Sequence, residues 1–162
     1  MKNTRLIAAL ALAASVATPA LASEKVLKKS DLPAAVLKTV ADKYPAAKMK
    51  SFASDVEDGK TEYEVIVSAE GGPIEVSVAA DGKLLGEEQK LSAKDLPEAV
   101  TKGLAASKWA KSKILRVEKV TEADAPEAPV FELLVEQGGK KHEIVFAQNG
   151  ELATPASGDK KD

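Results

Sequence analysis

The chain repeats itself at a nearly constant spacing, and this repetition limits its possible folds more than any other feature. The segment 31–36 (DLPAAV) returns 64 residues later as 95–100 (DLPEAV). Three further matches recur at an offset of 68: 63–67 (YEVIV) with 131–135 (FELLV), 74–78 (IEVSV) with 142–146 (HEIVF), and 81–84 (DGKL) with 149–152 (NGEL). The four extra residues fit the loop 121–129, which contains two prolines. Four matches in one order predict a duplicated unit.

Each copy begins with a pattern that is typical of a helix. Apolar residues recur at four-residue steps in both copies: Leu32, Val36, Val40, Leu96, Val100 and Leu104. This spacing places them on one stripe of a helix. Asp31 and Asp95 are predicted to be the N-cap residues, with Pro33 and Pro97 in the first turn, where a missing N–H is tolerated. Pro45 should stop the first helix.

Strands of alternating polarity follow each helix. We predict strands at 49–56, 63–67, 74–78, 114–120, 131–135 and 142–146. The Gly-Gly pairs 71–72 and 138–139 predict hairpin turns, and very short final strands are expected at 84–85 and 152–153. The predicted fold class is α+β, with two tandem αβββ units, each one helix packed on an antiparallel sheet. Their expected bounds are 23–88 and 89–153.

The first 22 residues have the layout of a secretory signal peptide. Lys2 and Arg5 precede an uncharged run, 6–16, and the small-residue site 20–22 (ALA) follows. The run is shorter than the roughly 20 residues that span a bilayer. We therefore expect cleavage near Ala22 and a periplasmic or secreted mature protein. The tail 154–162 is polar and is predicted to be disordered.

Charge and cysteine content narrow the possible partners. Loss of Lys2 and Arg5 changes the formal charge from −2 to −4. Nucleic acid is therefore a poor partner, and no segment of the mature chain is expected to insert into a membrane. The chain has no cysteine, so no disulfide stabilises it in an oxidising compartment. Another exported protein is the expected partner, and the sequence leaves the oligomeric state open.

The residues needed for common catalytic and metal sites are missing. His142 is the only histidine, and without cysteine it offers neither a nucleophile–base pair nor a zinc site. The acidic stretch 55–59 lacks the alternation of a calcium loop. The Gly-Gly pairs do not open a helix after a strand, so they are not phosphate loops. We expect no catalytic, metal-binding or cofactor-binding residues, no cofactor and no enzymatic activity.

A possible interaction face follows from the strand alternation. Glu64 and Glu75 in the first copy, with Glu132 and Glu143 in the second, are predicted on the solvated sheet face. Ordinary polar alternation explains the same pattern without any binding role. Trp109 completes this candidate face. Core packing is its default interpretation, whereas an exposed Trp109 would indicate a contact residue.

This arrangement of motifs resembles the PepSY-like domains, which are similar to the β-lactamase-inhibitor-protein-like periplasmic proteins. The first copy carries the resemblance in its Leu-Pro-x-Ala-Val helix start, its Tyr-Pro helix end, its Tyr-x-Val-x-Val strand and its Asp-Gly-Lys-Leu turn: residues 32–36, 44–45, 63–67 and 81–84. The second copy lacks the Tyr-Pro end, has Asn149 in place of Asp81, and has the longer loop.

The resemblance implies an exported binding or regulatory protein without catalytic machinery. Such domains are linked to restraint of peptidases and other secreted enzymes. In the inhibitor-like relatives, two tandem units use a concave sheet face for contact. For this chain we expect an inhibitor or modulator of another exported protein, contacting it through the sheet face and the loop 121–129. The alternative is a small-ligand or cation-binding periplasmic protein that uses an acidic sheet face.

Overall fold

The computed structural model describes residues 25–57 and 59–153. The predicted signal peptide 1–22 and tail 154–162 lie outside this range. The fold is α+β and divides into two compact units. The first unit contains residues 25–90 with 121–127, and the second contains 91–120 with 128–153. No helix of the described chain is long and apolar enough to cross a membrane. The bounds 23–88 and 89–153 of the two repeats stay a prediction.

The first unit packs one helix on an antiparallel sheet whose strands are neighbours in chain order. Its elements are β1 (Lys25–Val26), α1 (Ala34–Lys43), β2 (Lys48–Glu57), β3 (Lys60–Ala69), β4 (Gly72–Ala79) and β5 (Leu84–Lys90). The predicted stripe of α1 is buried in a core with the inward residues of β3 and β4: Leu32, Val36, Val40, Val65, Val67, Val76 and Val78. The alternation thus identified the inward face correctly.

The second unit repeats this plan. Its elements are α2 (Glu98–Ala106), β6 (Lys113–Glu122), β7 (Val130–Gln137), β8 (Lys140–Ala147) and β9 (Leu152–Ala153), with antiparallel neighbours in chain order. The core beneath α2 contains Val100, Trp109, Val117, Phe131, Leu133, Val135, Ile144 and Phe146. The predicted strands are confirmed in both units. The hairpin turn is at the Gly-Gly pair 138–139 in the second unit, whereas in the first unit it is at Glu70–Gly71, and Gly72 begins β4.

The duplication extends to the register of the strands. The first hairpin of each unit has an irregularity at the same place, between Met49 and Ser51 in β2 and between Ile114 and Arg116 in β6. Beyond it, Ser51 pairs with Ile66, and Arg116 pairs with Leu134. Because Leu134 follows Ile66 by the repeat offset of 68, Ser51 and Arg116 occupy equivalent positions.

The helix caps were predicted wrongly. Asp31 and Asp95 end short 3₁₀ turns, and the α-helices begin only at Ala34 and Glu98. Proline disfavours helical backbone at the residue before it, and Leu32 is extended with φ −82° and ψ 143°. The extended Leu32 therefore separates Asp31 from the start of α1. The carboxylate of Asp31 instead accepts a hydrogen bond from the backbone N–H of Lys28, the residue before its own 3₁₀ turn, at 2.9 Å.

The αβββ description omits one strand. β5 spans Leu84–Lys90, seven residues, rather than the two expected, and it pairs with β4 from Leu84 opposite Val78 to Gln89 opposite Ile74. Each helix is therefore followed by four strands, although β9 keeps the predicted two residues. The sequence LLGEEQK has no apolar alternation, so pairing with β4 determines its strand conformation.

Helix and final turn approach closely in both units. In the first unit, Thr39 Oγ1 donates to the carbonyl oxygen of Gly82 at 2.6 Å. In the second, Gly103 replaces Thr39 and Gly150 replaces Gly82. A Cβ added at Gly103 would lie 2.0 Å from the Gly150 carbonyl oxygen. The second helix thus packs against bare backbone, where the first unit has a hydroxyl group.

Candidate interaction face

Each sheet has a face opposite its helix, which we call the helix-free face. In the first unit this face includes Ser51, Ala53, Glu64, Ile66 and Glu75. The equivalent residues of the second unit, in the same order, are Arg116, Glu118, Glu132, Leu134 and Glu143. Their placement follows from period-two alternation, because the intervening residues point into the cores. The two faces share a pair of carboxylates on their second and third long strands. They differ on the first long strand, where β2 has Ser51 and Ala53 and β6 has Arg116 and Glu118.

In the second unit, three carboxylates lie on neighbouring strands. Glu132 is only 7% exposed, so the expectation that it lies on a solvated face is wrong. Glu118, which pairs with it on β6, is only 6% exposed. Burial raises the pKa of Glu132 to about 7, and the negative charge of Glu143, a hydrogen bond with Glu143 and the charge of Glu118 raise it further, while Arg116 opposes the shift. Glu132 is therefore partly protonated near neutral pH, and its protonated form donates a hydrogen bond to Glu143.

Arg116 supplies the positive charge of this cluster. Its Nε lies 3.0 Å from Glu118 Oε2, and its Nη2 lies 3.9 Å from Glu143 Oε1. Since β7 lies between β6 and β8, the guanidinium extends over β7, where Leu134 is the residue paired with Arg116. One planar cation thus joins carboxylates from two strands, a geometry that suits arginine better than lysine.

The first unit has a hollow at the equivalent place. We define this hollow by the residues that line it: Val26, Ser51, Phe52, Ala53, Glu64, Ile66 and Glu75. Ser51 and Ala53 take the positions of Arg116 and Glu118, so two small side chains replace two long ones. Glu64 and Glu75 are half-buried, whereas Val26 is 81% exposed. The hollow combines apolar surface with two carboxylates.

Trp109 lies elsewhere. Its side chain is 8% exposed in the core of the second unit, which agrees with its default interpretation as a core residue. His142 is half-buried with its ring centroid 4.6 Å from that of Trp109, and Lys108 Nζ lies 4.8 Å from the Trp109 ring. Trp109 therefore does not belong to the helix-free face, which keeps Glu64, Glu75, Glu132 and Glu143.

Sequence reasoning missed Arg116 and Glu118 on this face. The signal was present, because Arg116 and Glu118 alternate with the buried Val117. Their equivalence to Ser51 and Ala53 was hidden by the offset of 65 residues, which matches neither the helix offset nor the later strand offset. The register irregularity in each first strand makes the relation visible only in the structure.

The Tyr-Pro end of α1 has a structural role. The Tyr44 hydroxyl donates to Glu87 of β5, and Lys43 Nζ lies 3.4 Å from the same carboxylate. Burial raises the pKa of Tyr44 well above its usual value, and the hydrogen bond with Glu87 and its negative charge add to the shift. This contact joins the end of the helix to the last strand of its own unit.

The loop after β6 is anchored rather than free. The backbone N–H of Ala123 donates to the Leu85 carbonyl at 2.9 Å, and Pro129 is buried.

The part of the chain that the structure describes contains no group of three or more His, Cys, Asp or Glu side chains arranged to hold a metal ion.

Comparison with protein families gives two tandem matches to one family. The family is described as "Putative beta-lactamase-inhibitor-like, PepSY-like", and its model matches residues 22–86 and 86–154. No curated protein matches the chain at a significant level.

Solved structures share the fold. A BLIP-like protein from Bacteroides fragilis has 24% identity and a TM-score of 0.65, with 81% of this chain and 92% of that chain covered. A protein from Bacteroides eggerthii, described as one of the "putative periplasmic proteins", has 21% identity and a TM-score of 0.65, with 76% of this chain and 86% of that chain covered. A DUF2874 family protein from Bacteroides ovatus has 20% identity and a TM-score of 0.65 over 76% and 85%.

Proposed function

Because the chain belongs to the PepSY-like, β-lactamase-inhibitor-like family, we propose that it is an exported protein without enzymatic activity that binds another exported protein. In this proposal the helix-free faces are the contact surfaces. Binding would modulate, and in the simplest case inhibit, the partner. Export is supported by the signal-peptide layout of residues 1–22 and by structural relatives described as periplasmic.

The observation that carries the proposal is the composition of the helix-free face. In each unit two carboxylates flank an apolar residue: Glu64 and Glu75 around Ile66, and Glu132 and Glu143 around Leu134. Protein-binding surfaces combine an apolar centre with charged groups at the rim. A sheet presents such a pattern rigidly, because its backbone is held by hydrogen bonds and by the helix on the other side.

A photo-crosslinking experiment tests this proposal. A benzophenone amino acid at Ser51, on the helix-free face, is compared with the same group at Lys38, an exposed residue of α1. We expect crosslinks to one exported protein from Ser51 only, in intact cells of the native host. The identified partner is then purified, and its activity is measured with and without this protein.

Two controls make the result decisive. Ile66→Asp places a charge in the apolar centre and should abolish both the crosslink and the change in partner activity. Crosslinks of equal yield from Lys38 and Ser51, or a partner effect that Ile66→Asp leaves intact, would contradict the assignment of the face. A heat of calcium binding that Glu75→Gln removes would instead favour the cation-binding alternative.

A further inference from the structure

We propose that the outer edge of β8 binds an extended, acidic segment of another protein as an added antiparallel strand. The outer edge is the side of β8 that faces away from β7, along residues 140–144. This edge is separate from the helix-free faces, so its binding can be tested independently of the proposed function.

The last strand of each unit covers its neighbour to a different extent. In the first unit, β5 pairs with β4 as far as Gln89 opposite Ile74. In the second unit, β9 has two residues, and among the described residues it pairs with β8 only at 145–146. His142, the equivalent of Ile74, lies beyond that pairing. The described part of the chain therefore places no strand against residues 140–144 on this side.

The backbone groups of Lys141 and Glu143 point towards the outer edge. The N–H of Ala147 donates to the Glu151 carbonyl at 2.9 Å, on the side of β9. In an antiparallel ladder every second residue directs its N–H and C=O to the same side, so Lys141 and Glu143 face the same way as Ala147. A row of N–H and C=O groups at a sheet edge is a template for another strand. Extended peptides bind such edges through main-chain hydrogen bonds.

The segment that follows β9 in the sequence is a poor occupant for this edge. A strand that continued from Ala153 in the register of β9 would place Pro155 opposite Glu143. The ladder requires an N–H at that position, because the Glu143 carbonyl points to the edge. Proline has no N–H and interrupts the ladder there. A segment from another protein does not carry this restriction.

Charge favours an acidic segment. Lys140 and Lys141 are exposed, and Lys108 lies at the same end of β8, because its carbonyl accepts from Gln137, the residue paired with Lys140. Lys108 Nζ lies over the Trp109 ring, and none of the three ammonium groups forms an ion pair with a described residue. Lysine protects an edge strand from unspecific pairing, and complementary charge then favours a particular partner.

The first unit shows how a covering strand supplies such a charge. Glu87 of β5 accepts from the Tyr44 hydroxyl, and it lies 3.4 Å from Lys43 Nζ at the end of α1. The same two residue types, a lysine and an aromatic residue, follow α2 as Lys108 and Trp109. The two residues of β9 provide no carboxylate for them. An added strand with acidic side chains would provide one.

The test uses a synthetic peptide as the added strand. Ac-VTVEE-NH₂ is titrated into the ¹⁵N-labelled protein, and amide shifts are followed by NMR. In the antiparallel register its first valine lies opposite Ile144, and its two glutamates lie opposite Lys141 and Lys140. We expect saturable shifts in β8 and β9. Hydrogen exchange of the Lys141 and Glu143 amides should become slower, because both amides then donate to the peptide.

Modified peptides separate strand pairing from attraction between charges. A methyl group on the nitrogen of the first glutamate removes an N–H that points at β8, and it should weaken binding at least about tenfold. The same methyl group on the second valine, whose N–H points away from β8, should leave the affinity nearly unchanged. Ac-VTVKK-NH₂ should bind at least about tenfold more weakly than the acidic peptide, because its charges are repelled.

Substitutions in the protein locate the site. Lys141→Pro copies Pro73, which occupies the equivalent position of β4, so the strand should still form. This change removes the N–H that points to the edge, and it should weaken the acidic peptide at least about fivefold more than Lys141→Gln, which removes only the charge. Ile66→Asp, on the helix-free face of the first unit, should leave peptide binding unchanged.

Four outcomes would overturn the inference: no saturable shift, equal binding of the two N-methyl peptides, unchanged binding in Lys141→Pro, and equal binding of the lysine and glutamate peptides. Two further results would also refute it by assigning the edge to another occupant. A chain that ends at Ala153 and binds the peptide more than about tenfold more tightly than the full chain would assign it to residues 154–162. A full chain that sediments as a dimer, but as a monomer in Lys141→Pro, would assign it to a second copy.

Discussion

Gly103→Ala sets two physical effects of opposite sign against each other. Gly103 lies inside α2, where alanine is favoured over glycine by about 1 kcal/mol through helix propensity. The new methyl group, however, would lie 2.0 Å from the Gly150 carbonyl oxygen and 3.0 Å from its carbonyl carbon. Both atoms belong to the backbone of a turn, so no side-chain rotation can relieve the contact.

Worked from these distances, the contact should outweigh the propensity. Carbon and oxygen normally approach no closer than about 3.3 Å even in weak hydrogen bonds, so helix and turn must separate by about 1 Å. Such overpacking costs roughly 1–3 kcal/mol, and occasionally more. We expect Gly103→Ala to destabilise the second unit by up to about 2 kcal/mol after the propensity gain.

Urea unfolding followed by tryptophan fluorescence measures this change. Trp109 is the single tryptophan of the chain and lies in the core beneath α2, so it reports the unit that carries the substitution. Ala105→Gly, at an exposed position of the same helix, calibrates propensity and should cost about 1 kcal/mol. A Gly103→Ala variant that is more stable than the natural chain would refute the close approach of helix and turn.

Three further predictions concern buried charges and hydrogen bonds. The pKa of Glu132 rises from 4.5 to about 7 on folding. Its contribution to the free energy of unfolding is therefore greatest below pH 4.5, and it falls by about 3 kcal/mol as the pH rises through 7. Glu132→Gln should flatten the dependence of the urea midpoint on pH between pH 5 and 8, and an unchanged slope would contradict this. Arg116→Met should lower stability by about 1–3 kcal/mol in the same assay, because it removes the partner of the buried Glu118, and a neutral result would show that this ion pair contributes nothing. Tyr44→Phe should lower the melting temperature through loss of about 1–2 kcal/mol from its bond with Glu87, and an unchanged melting temperature would mean that water replaces the bond without cost.

Periodic patterns determined most of the fold from the sequence. The four-residue stripe of Val36 and Val40 and the alternation of Val65 and Val67 identified the buried faces, since each pattern follows directly from the geometry of a helix or a strand. The helix caps and the edge strands were predicted less accurately from the sequence. Asp31 has the chemistry of an N-cap, yet the proline two residues later holds the intervening Leu32 extended and moves the helix start.

The repeat, the apolar faces and the tight turns belong to the sequence, because each depends on residues close together in the chain. Tertiary structure decided three other features: that β5 is a strand, that Glu132 is buried, and that Ser51 is equivalent to Arg116. Each depends on which strand lies alongside, and pairing across a sheet joins residues with no fixed spacing. A pKa and a hollow both arise from that pairing, since burial and neighbouring charge exist only once the strands are assembled.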